Sequence, residues 1–116
     1  MKVWPEGSGF AFSNSAECFG ESFDVLNAPL NLARITIGSR YPEEGYLYNL
    51  EAHEMVYVVT GSGSLHTPDS DTQKLSAGDA IYLEPGQRFA WDGDMSIVTA
   101  CSPAFENSKH IAEEKS

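Results

Sequence analysis

The chain has 116 residues and seven Lys and Arg against seventeen Asp and Glu, a formal net charge of −10. That length bounds it to one domain with one core. The acidity, unrelieved by any basic cluster, excludes nucleic acid and anionic membrane as natural partners.

No apolar run approaches the length of a bilayer span. The N-terminus, Met-Lys-Val-Trp-Pro-Glu, lacks the apolar stretch of a secretory signal. A soluble cytoplasmic protein is expected. Cys18 and Cys101 are far apart and flank no metal-type spacing, which reads as two free, partly buried thiols in a reducing compartment.

In chain order, residues 1–29 are weakly patterned but hold Trp4, Phe10, Phe12, Phe19 and Phe23. So many aromatics need cover, and the segment is expected to pack on the domain body or on a partner subunit. Residues 30–37 read as a strand and 46–50 as a short one. Residues 55–59 are continuously apolar, which predicts a strand buried on both faces. Gly61-Ser62-Gly63 reads as a hairpin turn, followed by a strand at 64–66 and a polar loop at 67–73. Strands at 80–83, 88–91 and 95–101 follow, broken at Pro85-Gly86 and Asp92-Gly93-Asp94. Short strands with regular turn signals predict an all-β sandwich or barrel. Only the tail, 106–116, reads as a short helix.

Two stretches carry a family resemblance. Glu54 and Gly61, with six residues between them, keep the closing spacing of the first motif of the cupin superfamily, which runs Gly, His-x-His, a spacer of three or four, Glu, six residues, Gly. Gly78-Asp79-Ala80-Ile81-Tyr82-Leu83-Glu84-Pro85-Gly86-Gln87-Arg88-Phe89 is similar to the second motif, with Gly78 and Gly86 in register. The resemblance implies a single-domain cupin, a double-stranded β-helix or jelly-roll barrel, over residues 30–105. It also implies that the metal-binding histidines are replaced. Their first two positions fall on Tyr48 and Leu50 or on Leu47 and Asn49, depending on the spacer, and the third falls on Phe89. No cofactor is therefore expected. A divalent transition metal is the alternative, with Glu54 and His53 as displaced ligands or His66 in support. Against this, His53 adjoins Glu54 and points to the opposite face of a regular strand.

Phe89 and Trp91 share parity on their strand, and Val56 and Val58 share it with Glu54. A lumen with aromatic walls around one carboxylate follows, either filled by its own side chains or open as a pocket. A buried, unpaired Glu must be neutral, paired or wet. Arg34, mid-strand, is the expected partner. Without it, desolvation would raise the Glu54 pKa and suit it to acid–base catalysis. The expected ligand-binding set is Arg34, Tyr48, Asn49, Glu54, Phe89 and Trp91, with Glu54 as the candidate catalytic group. The ligand would be a small polar compound such as a sugar derivative or carboxylic acid. Two other readings stand beside this one: a metal-dependent dioxygenase, lyase or isomerase, and a non-catalytic dimeric interaction module. Met55, Tyr57 and Val59 form an apolar face opposite to Glu54, to be covered by the second sheet edge, the N-terminal segment or another subunit, and the cupin resemblance implies a homodimer.

Overall fold

The computed structural model describes residues 1–69 and 71–104, and the backbone of residues 110–113. In chain order the strands are β1 (Phe10–Ser15), β2 (Cys18–Phe23), β3 (Asn31–Ile37), β4 (Tyr46–Asn49), β5 (His53–His66), β6 (Gln73–Ser76), β7 (Ala80–Leu83), β8 (Ala90–Ser102) and β9 (His110–Glu113). One seven-stranded antiparallel sheet runs β1-β2-β3-β8-β5-β6, with β7 also paired to β5. Facing it, β4 pairs with β9. Backbone bridges Tyr41–Trp91 and Leu47–Phe89 tie this second layer to the start of β8. Among the described residues the fold is all-β, and none forms a helix long and apolar enough to cross a membrane.

Residues 10–23 are two strands of the main sheet rather than an appended segment, because β2 pairs along β3 from Cys18–Ile37 to Phe23–Leu32. Trp4 packs edge-on against Phe23 at 5.9 Å between ring centroids. The tail is also corrected. Residues 110–113 form a strand, since the open edge of β4 offers backbone partners that a helix would leave unmet. The rest of the expected helix lies outside the described residues.

The core follows from period-2 alternation in β5 and β8. Val56, Val58, Ile97 and Ile37 are almost wholly buried, each contributing roughly 1.5–3 kcal/mol. Alternation also corrects the expectation for 55–59. Met55, Tyr57 and Val59 face outward and are 51%, 51% and 45% exposed, while Val56 and Val58 face in.

Both glycine-rich breaks at 61–63 and 92–94 are strand, not turn. They lie opposite one another, with Gly61 paired to Met95 and Gly63 to Gly93, beside a register shift between Val58 and Thr60. Here the two long strands bend together from one layer into the other, which requires close backbone approach and left-handed conformations. Gly61 has φ 83°, and a Cβ there would lie 2.2 Å from the Asp94 carbonyl oxygen. Gly61→Ala is expected to cost roughly 2 kcal/mol or more in urea denaturation. Gly78→Ala, with φ 97° but open space around the added carbon, should cost clearly less. Equal losses would remove close approach as the cause.

Candidate functional site

Three adjacent strands bring Asn31, Cys101 and Glu54 into one row across the inner face of the sheet, through the pairs Asn31–Cys101 and Glu54–Cys101. The next row inward holds Ala33, Thr99 and Val56, and the one after it Ile35, Ile97 and Val58. The lumen is thus polar at the Glu54 end and aliphatic beyond. Between the layers lies a cavity of about 350 Å³, walled in part by Phe12, Tyr41, Phe89 and Trp91 and reached by Glu54, Thr99 and Cys101. Of the two arrangements left open by the sequence, the lumen is the open one.

Glu54 is 7% exposed. Asn49 Nδ2 donates to its Oε1 at 2.8 Å, and Thr99 Oγ1 donates to its Oε2 at 2.8 Å. Among the described residues no Lys, Arg or His forms an ion pair with it. Burial therefore pushes the Glu54 carboxyl above the usual carboxylate range, partly offset by the hydrogen bonds from Asn49 and Thr99. Cys101, 3.9 Å from Thr99 Oγ1, has its thiol pushed up to about 12, first by burial and then by the neighbouring Glu54 charge. Burial thus favours the neutral thiol over the thiolate.

The expected site residues divide by face. Asn49, Glu54, Phe89 and Trp91 are buried at the lumen, and Phe89 and Trp91 meet edge-to-face at 5.7 Å. Three others are corrected. Tyr48 has the parity opposite to Leu47 and Asn49, so it turns outward, where the Arg88 guanidinium sits 4.7 Å over its ring. Arg34 lies on the outer face, 3.2 Å from Glu21 Oε1, because Ala33 and Ile35 take the inward positions of β3. His53 also faces out, with Nδ1 2.6 Å from the Tyr82 hydroxyl. His66 is held by Thr72 and Asp92.

Leu47, Asn49 and Phe89 thus occupy the three inward positions where the cupin motifs place histidine. Two of them have no donor atom, and among the described residues no group of three His, Cys, Asp or Glu side chains is arranged to hold a metal ion. This donor set does not fit the metal centre implied by the motifs. Thr99, Cys101, Asn31 and Tyr41 were missed as site residues. The shared parity of Ile97, Thr99 and Cys101 was a usable signal, but which strands adjoin β8 was not readable.

A carboxyl with a raised folded-state pKa binds its proton more tightly in the native state. Its stabilisation of the fold is complete below the unfolded value of about 4.3 and is lost as pH rises toward the folded pKa. The melting temperature of Glu54→Gln relative to the parent should accordingly climb as pH rises above about 4.3. Asn49→Ala, which removes a donor to the charged form, should raise the Glu54 pKa further by NMR titration. A flat melting difference together with an ordinary Glu54 pKa would contradict the burial argument.

Residues 46–99 match the family model of the EutQ-like cupin domain. None of the curated proteins matches the chain. A variant of Pac13 from Streptomyces, a nucleoside dehydratase solved with uridine, superposes with a TM-score of 0.84 at 18% identity, covering 98% of this chain and 91% of that one. The polyketide cyclase RemF from Streptomyces resistomycificus gives 0.78 at 17% identity, covering 100% and 87%. An RmlC-like cupin from Shewanella frigidimarina gives 0.73 at 19%, covering 93% and 96%. At these identities the likeness is one of fold. The antiparallel barrel, the family match over its central strands and these structural neighbours agree on the fold, which is that of the cupins.

Proposed function

We propose that this cupin binds a small polar molecule, on the scale of a sugar derivative or carboxylic acid, in its lumen, and that Glu54 exchanges a proton with it. The observation that carries the reading is a buried carboxyl, held by two neutral donors, facing an open aromatic-walled cavity. A carboxyl whose pKa burial holds above the usual carboxylate range serves as acid when protonated and as base when ionised. That combination suits loss of water or isomerisation at a carbon next to a polar group. Neighbours on this fold that include a nucleoside dehydratase and a polyketide cyclase support the reading by analogy only. The metal-dependent alternative loses its named second ligand, since His53 is on the other face. Two buried free thiols are in keeping with a reducing, cytoplasmic setting.

Trp91 lines the cavity, whereas Trp4 sits against Phe23. In a Trp4→Phe background, emission therefore reports the lumen. A library of sugars, nucleosides and small acids is expected to yield ligands that change Trp91 emission, and Glu54→Gln should weaken them about tenfold or more. Ligands bound equally well by Glu54→Gln would sink the role given to Glu54.

The expected homodimer rests on the outer face. Exposed Tyr82 and Leu32 share a row with Met55 there, and with Tyr57 and Val59 they make an apolar patch bordered by the Arg34–Glu21 pair. A second copy matches it, since only an apolar face meets an apolar face without stranding charge. Light scattering should give twice the chain mass, with Tyr57→Lys monomeric. A parent that scatters as a monomer at micromolar concentration would refute it.

A further inference from the structure

The charges around the lumen are one-sided. Glu54 and Asp24 both line the cavity, and no Lys, Arg or His is among its described lining residues. The other described cations are engaged or exposed elsewhere. Arg34 pairs with Glu21 on the outer face. Arg40 donates to the carbonyls of Pro42 at 2.6 Å and Gly45 at 3.0 Å. Arg88 covers the Tyr48 ring, Lys2 sits over Trp4, and Lys74 is exposed on β6.

Asp24 stands where the cavity meets solvent. Asn31 Nδ2 donates to its Oδ1 at 2.9 Å, and Ser22 Oγ donates to its Oδ2 at 2.7 Å. An ionised carboxylate has about four lone-pair sites, so two remain for hydroxyl groups arriving from outside. Elsewhere the lining offers the Asn14 amide, which both donates and accepts, and the Ser13 oxygen, which is left to accept because its own O–H is donated to the Ser15 carbonyl at 2.8 Å. A phosphate or carboxylate placed here would meet like charge and no counter-ion. It would also hold Glu54 protonated and so remove its basic form.

Building on the small-molecule reading above, we propose that the lumen takes a hydroxylated molecule that carries no negative charge and has an apolar or flat portion, and that Asp24 at the mouth turns anions away. This narrows the ligand class: sugars and nucleosides remain, and carboxylic acids and phosphate esters are excluded. The flat portion lies against Phe89 and Trp91, and the hydroxyls reach Asp24 and the polar row at Glu54.

Matched probes test it in the Trp4→Phe protein: uridine against uridine 5′-monophosphate, and glucose against glucose 6-phosphate and glucosamine. At least one uncharged probe is expected to bind at pH 7.5, roughly 30-fold or more tighter than its phosphate. Asp24→Lys should narrow that ratio. Glucosamine is expected to bind at least as well as glucose. Failure of both uncharged probes, a phosphate bound as tightly as its parent, or glucosamine bound more weakly than glucose would overturn the proposal. The two readings fail separately. A preference for uncharged probes that Glu54→Gln leaves untouched keeps the charge selection and removes the acid–base role. Phosphate binding that depends on Glu54 does the reverse.

Discussion

The antiparallel pairing of β5 with β8 is the constraint from which the rest of the molecule is built. These strands register from His53–Ser102 to His66–Ala90, so they carry the inward row of the main sheet, and the second layer is held through Trp91 of β8 and Phe89 just before it. Such a ladder stays continuous around a bend only where side chains are absent. Gly61, Gly63 and Gly93 supply that absence at the crossing. Without the bend the two layers would not face each other, and there would be no lumen.

Alternation then imposes chemistry on that lumen. Once Val56 and Val58 are committed to the core, Glu54 must enter it too, because the period of a strand leaves no choice. The cost of burying a carboxyl is met by neutral donors from two other strands, Asn49 of β4 and Thr99 of β8. Neutral donors soften the desolvation but do not cancel it, so the proton is held more tightly than in water. A guanidinium in the same place would have fixed the charge and ended any proton transfer near neutrality. Arg34 spends its charge on Glu21 instead.

Much of this was readable from residues alone. Glu54, Gly61, Gly78 and Gly86 carried the fold, and the parity of Phe89 with Trp91 placed two walls of the cavity correctly. Reading failed where the answer depended on another strand. Gly61-Ser62-Gly63 and Asp92-Gly93-Asp94 have turn composition, and only their pairing makes them strand. Tyr48 and Asn49 are neighbours with opposite fates, and the bridge of Leu47 to Phe89 decides which one faces in. The continuous run at 55–59 signals burial by composition, yet three of its five residues face outward within a single chain.

The sequence by itself determined the all-β class, the buried position of Glu54 and the replacement of histidine by side chains unfit for a metal. These rest on local spacing and on strand periodicity, which need no partner to be known. The tertiary structure alone decided that the lumen is open, that Asn49 and Thr99 hold the carboxyl, and that Arg34 is kept away from it. Those are distances between strands far apart in the chain. Nothing in a one-dimensional pattern fixes which strands become neighbours or how much space is left between them.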